Sequence, residues 1–200
     1  AGRNPMKFHL LLIGMATLGC AETGQDRAEV PLYVAGVDVS EPVTAVADTR
    51  ITIDRADLAF GPLYLCAGIT AGDLCETARL EWLETVVIDT TDPSPATAGT
   101  LSGVTGVVQS WMYDLGISSQ LTRSEPYVLD AAQALGERSF VLEGTASVDG
   151  LALPFTVSVP IQQNEQTELG VPVARKSASE RFFHEVDTSP TALLVRFDPN

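Results

Sequence analysis

Histidine is scarce in this sequence, with only His9 and His184 in 200 residues. Cysteine is nearly as scarce, at positions 20, 66 and 75. Transition-metal sites usually draw on several such side chains, so almost nothing remains for zinc. Copper held by Met112 and His184 has no spacing to support it. Catalytic motifs are missing as well: there is no GxSxG elbow, phosphate loop, dinucleotide fingerprint or EF-hand. A Ser-His-Asp site would have to be built on His184, and no local pattern supports one. Basic residues are few, 12 against 26 acids, giving a net charge of -14. Such a surface repels nucleic acid and anionic head groups, and tolerates cations such as calcium. Asp89 with Asp92, and Glu180, Glu185 and Asp187 around His184, supply oxygen donors without a recognised calcium loop. A solvated acidic surface is the plainer reading of both groups. Long apolar runs are lacking too. The longest, Phe8 to Leu18, would rise about 16 Å as a helix, half of a hydrocarbon core.

That short run is nonetheless the clearest functional signal present. Lys7 supplies a positive start, and the apolar stretch fits the central region of a signal peptide. It ends in Ala16-Thr17-Leu18-Gly19-Cys20, small residues that let an extended backbone enter a peptidase site. This ending resembles the lipobox of bacterial lipoproteins. Gly19 and Cys20 match the small-residue and cysteine positions, while Thr17 stands where that family usually has leucine. The resemblance covers Met6 to Cys20 only. It implies that the Cys20 thiol becomes a thioether to diacylglycerol and that Cys20 becomes the new amino terminus. The alternatives are an ordinary secretory signal cleaved near Ala16 or Ala21, or a buried apolar helix. Ala1 to Pro5 precede a plausible start methionine and are set aside from fold reasoning.

Three segments follow from this reading: 1–19 as upstream residues plus signal peptide, 20–29 as lipidated cysteine and tether, and 30–200 as one domain. Ala21 to Glu29 is small and polar, which suits a tether. Removal of Arg3 and Lys7 with the leader leaves a charge of -16. The remainder is long enough for a real core. An exported chain meets an oxidising compartment, so Cys66 and Cys75 are expected to pair as a disulfide. Eight intervening residues do not suit the CxxC spacing of a metal or redox pair.

Strand patterns dominate the domain. Val30 to Val39 and Thr49 to Asp57 alternate between apolar and polar. Leu58 to Cys66 continues through a break at Gly61-Pro62. A strand is expected from about Leu83 to Asp89, then an exposed loop over Thr90 to Gly103, rich in Thr, Pro, Ser, Ala and Gly. Val104 to Leu115 reads as another strand, followed by a turn or long connection to Thr122. Ser124 to Gly136 is the best helix, with Ser124 as cap and Gly136 at the exit. A strand at Tyr127 to Leu129 is its rival. The sharpest local signal is Asp149-Gly150, a pair that tolerates positive φ, set between strands Ser139–Val148 and Leu151–Pro160. A polar loop over Gln162 to Glu168, a brief pairing at Val171 to Val173 and a last strand over Thr191 to Phe197 complete the chain. Its stop directly after a strand raises truncation at the C-terminal edge.

Strands at hairpin spacing without alternating helices predict a mainly β fold, an antiparallel β-sandwich of about 7–9 strands with at most one short helix. No catalytic residue, metal ligand or cofactor is assigned. Trp111 and Tyr113 share one strand face, opposite Met112, and are the ligand-facing candidates. Aromatics at alternate strand positions are more often the mark of a core. The expected partner is a membrane, through a lipid anchor at Cys20, with no nucleic acid and no nameable protein or glycan. The expected function is non-enzymatic binding or structural interaction in a bacterial envelope. The alternatives are an envelope glycan hydrolase or a periplasmic metal-handling lipoprotein.

Overall fold

Period-two alternation writes most of this fold. In β1 (Arg27–Ala35), Ala28, Val30, Leu32 and Val34 are buried, while Arg27, Glu29 and Pro31 face solvent. The computed structural model describes residues 24–44, 49–69, 75, 77–117, 128–161, 175–177 and 183–198. Strands β2 (Val43–Thr44), β3 (Arg50–Phe60), β4 (Leu63–Cys66), β5 (Ala78–Trp82), β6 (Val86–Asp89), β7 (Ala96–Val104), β8 (Gly106–Val108) and β9 (Ser110–Asp114) follow. A short helix, α1 (Asp130–Ala134), precedes β10 (Arg138–Val148), β11 (Leu151–Pro160), β12 (Arg175–Ser177), β13 (His184–Val186) and β14 (Leu193–Arg196). The architecture is mainly β and sandwich-like, as the strand spacing predicts. Several of the fourteen strands among the described residues are only two or three residues long.

Seven strands form one sheet in the order β12-β9-β4-β5-β7-β1-β14. It is antiparallel except at its edge, where β14 runs parallel to β1 with Leu32 beside Leu193 and Val34 beside Val195. The second sheet runs β11-β10-β3-β2, with β6 also on β3, and β8 pairs with β13. The main core gathers Leu32, Phe60, Leu63, Leu80, Trp82, Leu101 and Val108 from both sheets and the small pair. Fully burying a side chain such as Phe60 contributes about 1.5–3 kcal/mol. On the other face of β3 and β10, Ala59 and Val141 pack against Ala131, Ala132 and Leu135 of the helical segment. On the other face of β4 and β9, Tyr64, Cys66 and Met112 form a third cluster.

The hairpin sits where its turn places it. Asp149 and Gly150 have φ of 50° and 79°, and Val148 faces Leu151 across the turn. A two-residue turn makes that facing pair hydrogen-bonded, so the even-numbered residues of β11 point their backbone groups to the free edge. Pro154 and Pro160 fall at such positions and remove two donors from it.

Five expectations are corrected. The loop assigned to Thr90–Gly103 contains β7, an inner strand between β5 and β1. Its small residues answer large neighbours: a side chain at Gly99 would overlap the Trp82 indole, and one at Gly103 the backbone of Arg79. The strand assigned to Leu83–Asp89 is shorter, β6 over Val86–Asp89, and a separate strand, β5, precedes it in the other sheet. The strand over Val104–Leu115 is divided between the end of β7, β8 and β9, with Gly106 at φ 131°. The helix is shorter than 124–136. It starts at Asp130 behind Leu129, whose side chain makes no cap, and Gly136 exits at φ 69°. Ser124, Gln162–Glu168 and Val171–Val173 lie outside the described residues. β1 begins at Arg27, before the expected Val30.

Candidate functional site

Strand parity sends Trp111 and Tyr113 to the same side of β9, and they stack with ring centroids 5.0 Å apart at 22°. Phe60 continues the aromatic row, 5.9 Å from Tyr113 and 4.9 Å from Phe197. Both predicted ligand-facing residues are half-buried at the margin of the main core. Burial pushes the Tyr113 phenol above its ordinary pKa.

Among the described residues, three cavities lie along 190–198. One, about 270 Å³, is walled by Leu63, Leu65 and Trp111 and by residues 193–196. A second, about 310 Å³, lies between Tyr113, Leu58, Phe140 and Phe197. The third, about 160 Å³, is bounded by Val30, Leu80, His184 and Val186 and shares Leu65 and Leu193 with the first. Their walls are overwhelmingly apolar. The first carries a single charged side chain, Arg196, which is exposed and makes no ion pair or hydrogen bond among the described residues. These volumes sit at the low end for small-molecule sites.

β14 positions this wall because its alternation matches its partner. Leu193 and Val195 turn toward the core, while Leu194 and Arg196 are exposed. The Phe197 N–H donates to the Ala35 carbonyl at 3.0 Å. Backbone direction alternates along a strand, so the Leu194 and Arg196 N–H groups point away from β1, toward the free edge. Among the described residues no strand pairs with that edge.

The other predicted positions fall elsewhere. Cys66 and Cys75 form a disulfide, with Cα atoms 5.6 Å apart, on the face of β4 opposite Leu65. Met112 packs with Tyr64 and Cys66 on that same outer face, whereas His184 is exposed at the rim of the third cavity. Asp89 accepts from the Thr91 backbone N–H and hydroxyl, at 2.9 and 2.6 Å. Asp92 accepts from the Ser94 N–H at 2.8 Å, and that bond holds its carboxyl below the usual aspartate range. Asp187 likewise accepts from the Ser189 N–H. These acids are tying turns. No group of three or more His, Cys, Asp or Glu comes together as a metal site among the described residues. Glu180 and Cys20 lie outside them.

Sequence reasoning missed Leu63, Leu65, Leu193 and Arg196 as cavity walls. No local signal marks them, because the cavity exists only once β14 lies beside β1. The chain matches no protein-family model and shows no significant similarity to a curated protein or a solved structure.

Proposed function

We propose that this chain is a lipid-anchored protein of a bacterial envelope, whose β domain binds a ligand or partner and catalyses nothing. The observation that carries the anchor is the segment Met6 to Cys20: one basic residue, an apolar run too short to span a bilayer, and a small residue before cysteine. Acylation at Cys20 makes the attachment hydrophobic, since each buried CH₂ adds about 0.8 kcal/mol. The net charge of -14 offers anionic lipid no electrostatic hold. The binding reading is supported by the mainly apolar cavities beside Trp111 and Tyr113, which bring together walls and an aromatic row.

Mass spectrometry of the membrane fraction tests the anchor. The expected mature chain begins at an acylated Cys20 and is released by detergent but not by salt. Cys20→Ser is expected to abolish acylation and leave the fold intact. An unmodified Cys20 in a membrane-associated chain would end the anchor proposal. A thermal-shift screen of the Cys20→Ser chain against divalent metals, oligosaccharides and amphiphiles tests the binding half, because a ligand that binds the native state raises the melting temperature.

A further inference from the structure

We infer that the cavity between Trp111 and β14 takes a free, single-chain amphiphile with an anionic head, its tail in the apolar pit and its head at Arg196. This rests on the cavity being the binding site proposed above. The tail side is Leu63, Leu65, Trp111 and Leu193, which offer a chain apolar contact. The head side is defined by two independent observations. The Arg196 guanidinium is exposed and unpaired among the described residues, in a chain where acids outnumber bases 26 to 12. Beside it, the Leu194 and Arg196 N–H groups point out from the edge of β14, as the Phe197 bond to Ala35 fixes by alternation. The guanidinium and one of these backbone donors match the acceptor oxygens of one carboxylate or phosphate; N–H groups on alternate residues lie about 7 Å apart, so a single head takes only one of them.

The same edge is a poor site for an added peptide strand. β14 has four residues, and only two of them turn their backbone outward. Strand addition draws its affinity from a longer ladder of main-chain bonds. One anionic head needs no more than this edge provides.

The test is isothermal titration of the full chain carrying Cys20→Ser, so that no covalent lipid competes. The probes are straight-chain fatty acids of increasing length, kept below micelle formation, and the alcohols of equal length. Affinity for the acids is expected to rise about fourfold per added methylene until the cavity is full, then level off. The Arg196→Met variant is expected to bind the acids about tenfold or more weakly and the alcohols unchanged. Arg196 is exposed, so its loss does not threaten folding. Leu193→Phe is expected to bring the plateau to a shorter chain.

The outcomes separate the two claims. Alcohols that bind as tightly as acids, or acids indifferent to Arg196→Met, would overturn the anionic-head inference and leave the cavity as an apolar site. Failure of both series would overturn the cavity reading itself. Flotation with anionic vesicles in the absence of any free-acid binding would also refute the inference, by placing the recognition at a membrane surface.

Discussion

Two glycines separate backbone strain from steric exclusion, and they should fail by different amounts. Gly150 sits in the hairpin turn at φ 79°, and a side chain there would meet nothing within 4 Å. Replacing it costs only the left-handed conformation, about 1–2 kcal/mol for alanine. Asparagine tolerates that region and should cost less. Gly103 poses the opposite problem. A side chain there would overlap the Arg79 carbonyl of the neighbouring strand. The residue pairs Leu80–Gly103 and Glu81–Ser102 tie β5 to β7. Relieving the overlap separates these strands, losing about 1 kcal/mol per hydrogen bond on top of about 1–3 kcal/mol of overpacking. The expected total is about 3 kcal/mol or more. For a domain of this size each kcal/mol lowers Tm by roughly 2–4 °C. Gly150→Ala should therefore lower it by about 2–8 °C, and Gly103→Ala by at least about 6–12 °C. Urea unfolding followed by far-UV circular dichroism gives the same comparison at constant temperature. Gly150→Asn should recover part of the first loss, while Gly103→Ser recovers none of the second. Equal costs, or an alanine at 150 that costs more than one at 103, would refute the assignment of turn and strand.

Removing the Cys66–Cys75 bridge should cost about 2–3 kcal/mol, the closure entropy of so short a loop; unfolding curves with and without reductant measure it, and coincident curves would contradict it. The helix borrows its cap from a distance, with the Ala131 N–H donating to the Thr85 hydroxyl at 3.2 Å. Thr85→Val should therefore destabilise by about 1 kcal/mol, as loss of a cap does, and a neutral substitution would sink the idea. Asp92 should titrate below an ordinary aspartate, because the Ser94 N–H stabilises its charged form. A lowered folded-state pKa means its contribution is present above the unfolded value and is lost as pH falls through the folded one. A carboxyl midpoint at or above the ordinary value, followed by NMR, would count against that turn.

What the sequence could reveal depended on how local the cause was. The Asp149-Gly150 hairpin was legible because a two-residue turn and two alternating strands lie within about twenty consecutive positions. The break at Gly61-Pro62 was legible because proline cannot continue a ladder. The strand Ala96–Val104 was not, because its small residues fit the Trp82 ring and the Arg79 backbone, neighbours that composition does not show. Ser124 drew attention as a cap because it precedes the helical pattern, whereas the acceptor at Ala131 comes from Thr85 in a preceding loop. For the site, the parity of Trp111 and Tyr113 was readable from one strand. The opposite wall was not, since it depends on where residues 193–196 settle.

The parallel edge joining β1 and β14 sets a timetable. Leu32 meets Leu193, 161 positions further along the chain. Ribosomes add roughly 5–20 residues per second, so about 8–32 s separate the emergence of these two partners. Through that interval β1 has no partner on its β14 side, and its backbone groups there are open to any stray strand. The nascent protein thus has a period of exposure fixed by chain length alone, during which a holding factor or unfolded confinement would protect it. The cavity keeps the same schedule. One of its walls is β14, so that cavity forms only after the parallel edge has closed.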